Sequence, residues 1–540
     1  MAKRSKSFIT RRSFVRKAGI VAAGSALGCS VGCGANQFLP VLPCLSNVTP
    51  PAPAGEMTYI KASEIGCALD CDLSTGRNKY TGGAATDDAP RINAAMAGAT
   101  ASNPITLILD GSALISGLFL PAGGYWSIAG LGCGTGFFIK KGTNNDGIHN
   151  GGPRAAVPSD PGTVTPGIPV PARGSSVSLS NFELNGNAGG DSTSGHVQGT
   201  SSTWYFGINL MNLNNITLEN LGIVNTPAYH IRLSNVGNVT VSGCTTNSSA
   251  TNTDGVHFDG PANDIAISNC NFTCGDDAIA LNCPEGYNGN ISRVTVTGCT
   301  FNSLTMLRLY TTGGGKTFRI DSVTVSDCSG TLTRAAFAIG EGADSNPNSV
   351  DGLTVSNCKI VAPAVLDLEA NFGVATFTNV TLTPLDRNQD VGYAFARTSS
   401  PYRRILYSGK SLVLENCVIQ RNRDHAVAAL ILDGSRIENI EFNGFSVQDA
   451  PGNSYGATPE LLNIASGTIK QVAIGSVDSA RIKAPIPASR FSNVGSFCGA
   501  GVLATGWQFP DSCMANETPY ISASTHRPSI KVAGVVRPYP

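Results

Sequence analysis

Only 14% of this 540-residue chain is charged, and two phrases break its run of small uncharged residues: NTDGVHFDG at 252–260 and CGDDAIALN at 274–282. Together they carry Asp254, Asp276 and Asp277, with Asp254 and Asp277 23 residues apart. Carboxylates held close repel one another's ionisation, so one keeps a proton near neutral pH while its neighbours stay charged. A carboxylic acid beside ionised carboxylates is the equipment of glycoside hydrolysis: the acid protonates the leaving oxygen, and a carboxylate activates water or attacks the sugar. Two other readings compete. Such a cluster can hold Ca²⁺ for a polysaccharide lyase, with Arg308 as the base, or it can decorate a non-catalytic, glycan-binding scaffold. Asp and Asn are also common in tight turns, but an adjacent Asp pair with a third Asp one repeat earlier is poorly explained by turn preference.

The elements that must position these groups are repeats. SVSLSNFEL (176–184), NITLENLGI (215–223), NVTVSGCTT (238–246), DIAISNCNF (264–272), RVTVTGCTF (293–301), SVTVSDCSG (322–330), GLTVSNCKI (352–360) and SLVLENCVI (411–419) align without gaps. Each alternates apolar with small polar residues, the period of a strand, then turns through an Asn, Asp or Gly. Their spacing, mostly 23 to 30 residues, suits one coil of three short strands that hides its apolar side only by stacking on its neighbours. This predicts an all-β fold, a right-handed parallel β-helix. Cys244, Cys270, Cys299, Cys328, Cys358 and Cys417 share one repeat position with Phe182 and Leu221, which makes them stacked interior thiols; Cys270 and Cys274 are the one pair within these repeats with metal-like spacing. Alternation turns Val256, Phe258, Ile279 and Leu281 inward. Asp254 and Asp277 share that parity, and burying them unpaired would be costly, so the chain is expected to bend at Gly275 and turn them out to a groove.

The phrase DDAPRINAAMAGAT (87–100) predicts a cap helix with Ile92, Ala95 and Met96 on one face, covering strand edges that a first coil would otherwise expose. The reading divides the chain into residues 1–34, a Pro/Ala-rich lead-in at 35–55, the capped solenoid at 56–485 and a C-terminal cap at 486–540. Cysteines outside the repeats (Cys44, Cys67, Cys71, Cys133, Cys498, Cys513) are candidates for disulfides in an exported protein. Lys and Arg number 37 against 37 Asp and Glu, but the first 34 residues hold seven of the basic side chains and no acidic one. The remainder is therefore acidic, 30 against 37, which argues against a nucleic-acid partner. RRSFVRKAGIVAAGSALG at 11–28 resembles a twin-arginine export signal, its apolar run too short to span a bilayer. That resemblance implies a periplasmic or extracellular protein, with Cys29 or Cys33 as a minority site for a lipid anchor.

Asn252-Thr253-Asp254, followed 22 residues later by the first Asp of Gly275-Asp276-Asp277, resembles the polygalacturonases of glycoside hydrolase family 28. The cadence of TPAYHIRLSNVGNVTVSGCTTNSSATNTDG upstream carries the same resemblance over roughly residues 200–300. It implies inversion, with Asp276 as general acid and Asp254 with Asp277 as the pair holding the nucleophilic water, and no cofactor or metal. Two family motifs are absent. Thr305 stands where the family has a His, and Ala338 and Gly340 stand where it has an Arg and a Lys that grip the uronate. Arg308 or Arg334 can replace those cations, or the glycan is neutral or sulfated. Asn252, Tyr229, His230, His257, Arg308, Tyr310 and Arg334 are the candidate substrate contacts. The reading is an exported, monomeric glycosidase acting on a polysaccharide, with no nucleic acid and no membrane span.

Overall fold

The computed structural model describes residues 57–143, 145–151, 170–188, 205–313, 316–340, 349–385, 393–398 and 408–539. The basic first segment, the Pro/Ala-rich lead-in and Cys29, Cys33 and Cys44 lie outside them. Three ladders of parallel strands run through the body. The first starts at Thr58–Lys61, passes through Ile105–Leu109, Gly124–Gly130 and Gly174–Ser180, and ends at Val494–Cys498. The second begins at Leu118–Leu120 and carries the segments that hold the acidic phrases, Val256–Ser268 and Asp277–Asn282. The third runs from Ser112–Ile115 through Thr245–Asn247 and Asn271–Thr273. One strand from each makes a coil, and the whole is a right-handed parallel β-helix.

The recurring Asn, Asp and Gly of the sequence cadence are the residues that let the coil turn. Asn181, Asn220, Asn269, Asp327, Asn357, Asn379 and Asn416 all take left-handed backbone angles, with Gly243, Gly298 and Gly444 in the same role between them. Few side chains other than Asn and Gly tolerate that region. Their amides also bond coil to coil, Asn220 to Asn181 at 3.1 Å and Asn379 to Asn357 at 3.1 Å. Inward columns such as Val239, Ile265, Val294 and Val323 are buried and pair in strict register. The cysteine column lies inside the coil as the sequence indicates: the Cys270 and Cys299 backbone N–H groups each approach the sulfur one coil on, at 3.4 Å. Cys274 is buried too, its sulfur 3.2 Å from the Thr246 hydroxyl. Cys67, Cys71, Cys498 and Cys513, candidates for disulfides in the sequence, are thiols.

The cap helix spans Ala89–Met96, with Pro in its first turn and Ile92 and Met96 wholly buried. Asp88 does not cap it with its own side chain; the carboxylate instead accepts the Ala68 and Leu69 N–H groups at 2.8 and 3.0 Å, tying the loop before the helix to its start. At the other end Trp507 is buried, its indole N–H donating to the Ile482 carbonyl at 3.1 Å. A small sheet of Gln508–Phe509, Pro519–Ser522, Pro528–Val532 and Val535–Pro538 follows. Among the described residues no helix is long and apolar enough to cross a membrane.

Candidate active site

Strand register brings the acidic phrases together. Val256 pairs with Ile279 and Phe258 with Leu281, so Asp254 stands over Asp277, and the Asp277 N–H donates to Asp254 Oδ1 at 3.3 Å. The loop entering each strand is fixed by Thr253, whose hydroxyl donates to the Ala250 carbonyl at 2.6 Å and accepts the Gly275 N–H at 2.9 Å. A β-carbon at Gly275 would lie 1.9 Å from the Ala250 oxygen, so only glycine permits this approach. One carboxylate oxygen from each of Asp254, Asp276 and Asp277 lies within 4.8 Å of the others.

The three differ in exposure, and not as the sequence suggests. Asp254 and Asp277 are 4% and 5% exposed, whereas Asp276 is half-buried. The chain does not turn all three out to solvent; it supplies the buried two with donors. Thr305 Oγ1 donates to Asp277 Oδ1 at 2.7 Å, filling with a hydroxyl the position where the resemblance anticipates a His. His257 Nδ1 meets Asp254 Oδ2 at 2.7 Å. Burial raises the Asp254 pKa from 3.8 to about 6; His257 pulls it down, while Asp277 and Glu285 push it up.

His257 is the hub of a second cluster. Its Nε2 lies 3.0 Å from Asp259 Oδ1 and 2.9 Å from Glu285 Oε2, and Asp259 is paired in turn with Arg232, Nη2 to Oδ2 at 2.6 Å. Burial alone would lower the imidazole pKa, but hydrogen bonds that the ring donates to Asp254, Asp259 and Glu285 outweigh it and hold the ring well above 6.5. Tyr229 stacks on the His257 ring with centroids 3.9 Å apart, and Phe206 stacks on Tyr229 at 5.1 Å. His257 is wholly buried, so these rings support the site from behind. His230 donates through both its backbone N–H and Nδ1 to the Asp254 carbonyl, each at 2.8 Å. Burial takes its pKa down to about 4, leaving a neutral ring whose buried Nε2 has no hydrogen-bond partner among the described residues.

The remaining candidates lie along the same face. Arg308 shares a ladder column with Ala280 and Ala338 and sits over the Tyr310 ring, 5.5 Å from its centroid. Arg334 falls in a bulge, where Leu332 and Ala335 pair with Ser303 and Thr305. It is committed to acids farther along, with Nε 3.2 Å from Asp367 and Nη2 2.5 Å from Glu369. Asp367 also binds Arg397. Asn252 is half-buried in a left-handed turn just before the site. Sequence reasoning did not single out Asp259, Glu285, Asp367, Glu369 or Arg397. Asp259 was open to discovery, being two residues after His257 and therefore on its side of the strand; Glu285 lies in a loop without periodicity. The His257, Asp259 and Glu285 atoms are also close enough for one ion to bridge, but each contact is already an imidazole–carboxylate hydrogen bond, and a cation there would have to displace the ring protons.

Residues 185–339 match the model of glycosyl hydrolases family 28. The match covers under a third of the chain, and over these residues the chain is similar to that family. The matched segment contains Asp254, Asp276, Asp277, His257, Arg308 and Arg334. A probable polygalacturonase of Arabidopsis thaliana is 25% identical over 193 residues, 33% of this chain and 40% of that protein's length. The match thus spans well under half of that relative. The family 28 exopolygalacturonase of Yersinia enterocolitica superposes with a TM-score of 0.50 at 12% identity, covering 76% of this chain and 78% of its own, a likeness of fold. The surface adhesin PfbA of Streptococcus pneumoniae gives a TM-score of 0.46 at 11% identity over 89% of this chain and 99% of its own.

Proposed function

We propose that this protein is an exported glycoside hydrolase that cleaves a pectic or related polysaccharide, with Asp276 as general acid and Asp254 and Asp277 as the pair that holds and deprotonates the attacking water. The observation that carries the reading is the cluster itself: three carboxylates within 4.8 Å on adjoining coils, one half-buried and two shielded, inside the family 28 segment. Asp276, the most exposed of the three, is the one suited to reach a leaving oxygen. Asp254 and Asp277, each fixed by a neighbouring donor, suit a water that must be held still. Export rests on the twin-arginine resemblance of residues 11–28.

The stereochemical outcome is a separate matter. Inverting carboxyl groups usually stand about 6.5–9.5 Å apart and retaining ones about 5–5.5 Å, whereas the 4.8 Å here bounds single facing oxygens rather than whole groups. Inversion therefore rests on the family resemblance, and the alternative outcome is retention through a covalent intermediate. Proton NMR of the first sugar released decides between them by its anomeric configuration.

The test of the acid is a reducing-sugar screen over pectic, neutral and sulfated polysaccharides, with wild type beside Asp276→Asn. The substitution is expected to remove nearly all turnover, a loss of 10²-fold or more on the scale of general acid catalysis, while circular dichroism stays unchanged. Equal activity in the two proteins would overturn the assignment. Release of unsaturated, ultraviolet-absorbing ends that a chelator abolishes would instead establish the lyase reading.

A further inference from the structure

Among the described residues both nitrogens of His257 hydrogen-bond only to carboxylate oxygens: Asp254 at Nδ1, Asp259 and Glu285 at Nε2, all between 2.7 and 3.0 Å. A neutral imidazole has one N–H and one bare lone pair. With either tautomer here, one nitrogen would direct that lone pair at a carboxylate oxygen, which has no proton to give it. Two hydrogen bonds become possible only if the ring carries both protons.

We infer that His257 is a positioning residue held as a fixed imidazolium, which keeps the buried Asp254 carboxylate ionised and aimed for its role as base. The inference rests on the proposed role of Asp254. The groups that face the ring from each side are few. Asp254 comes from the entry to the strand, Asp259 from the same strand two residues on, and Glu285 from the loop after Asp277–Asn282. Arg232 comes from the preceding coil, where it pairs with Asp259, and the Tyr229 ring covers one face. The charges alternate along this line: Asp254, His257, Asp259, Arg232. Asp259, with no exposed side-chain surface and an Arg on its far side, is held ionised below its usual range, because Arg232 and His257 together outweigh its burial. Glu285 is the only acid of the set with appreciable exposure, 26% of its side chain. The arrangement answers the difficulty that the sequence raises: a carboxylate facing inward is tolerable when a buried cation meets it and that cation is itself matched by two more acids.

The test compares His257→Gln, Glu285→Gln and Asp254→Asn with wild type on the best substrate of the screen, as full pH profiles of kcat/KM. An opposite charge at hydrogen-bond distance shifts a carboxyl by about 1–3 pH units. His257→Gln is therefore expected to move the acidic limb upward by about that amount, with activity largely recovered above it, whereas Glu285→Gln, which leaves Asp259 at the ring and removes an acid that pushes Asp254 up, is expected to move it slightly downward. A role in packing alone would lower activity equally at every pH, and that outcome would overturn the inference. A second readout needs no substrate. ¹⁵N NMR of the histidine rings is expected to show one ring with both nitrogens protonated well above pH 6.5 in wild type and lost in His257→Gln. A neutral His257 at pH 7 would also overturn it. Asp254→Asn separates the two levels: if it retains turnover, the assignment of the base fails, whereas a doubly protonated His257 would still stand as a fact about the ring.

Discussion

At the scale of single residues, burial and donors decide what each carboxyl can do. Asp254 is the group whose pKa burial moves most clearly, to about 6. As a base it must be ionised, so kcat/KM of the wild type is expected to fall as the pH drops through about 6. An acidic limb near 4, the ordinary carboxyl range, would show that burial does not set the profile. The same shift has a stability consequence of opposite sense. With its folded pKa above the unfolded one, Asp254 binds its proton more tightly in the native state, so its contribution to stability is greatest below about pH 4 and is lost as the pH rises toward 6. The trio was legible in the sequence because two uncommon phrases fall one coil apart. What surrounds it was not. Alternation gave Asp254 its inward parity correctly, but the expectation that it must therefore swing out ignored the possibility of a buried partner. His257 was visible as a candidate sugar contact, whereas its engagement with Asp259 and Glu285 depends on a loop whose path no periodicity reports.

At the scale of the element, the parallel ladder is what converts sequence spacing into a site. Each outward column runs the length of the face, and the column of Arg232 and His257 continues through Ala280, Arg308 and Ala338 to Asp367 and Arg397. The coil cadence made the solenoid and its cysteine column readable, since stacked coils place like residues over like. It could not reveal Asp367 and Glu369, which lie in the strand Ala364–Leu368 and the residue after it, beyond the end of the repeat GLTVSNCKI and outside its cadence. The bulge that carries Arg334 was hidden for the same reason: an extra residue between Leu332 and Ala335 leaves no mark on composition. Buried ion pairs of this kind are costly to break from one side. Arg334→Met is expected to destabilise the protein by about 3–5 kcal/mol by leaving Glu369 buried without its cation. Arg334→Met combined with Glu369→Leu should recover most of that loss, since replacing a whole buried pair by apolar groups is near neutral. Thermal and denaturant unfolding of the three proteins measures this. Equal melting of the single variant and wild type would mean that the Arg334–Glu369 contact carries no stability.

At the scale of the whole molecule, a solenoid has no single centre. Each coil rests on its two neighbours, so stability is close to a sum of local interfaces and the weakest places are the ends. The helix Ala89–Met96 closes the first of these, putting the wholly buried Ile92 and Met96 over the first coils, where strand edges would otherwise stand open to another chain. The active-site candidates lie many coils away. Ile92→Asp sets a charge where the core offers no partner, so the helix is expected to detach and the coils beneath it to fray. Backbone amides of Ile105–Leu109 and Ser112–Ile115 should then lose hydrogen-exchange protection while those of Val256–Ser268 keep theirs, and gel filtration should show higher oligomers joined through the uncovered edge. Turnover per mole of protein in the monomer fraction should match wild type, because nearest-neighbour coupling dies out before it reaches Asp254. If protection were lost evenly along the chain, or activity fell together with the cap, the solenoid would be melting as one cooperative unit, and the catalytic coils would owe their geometry to the far end as well as to their neighbours.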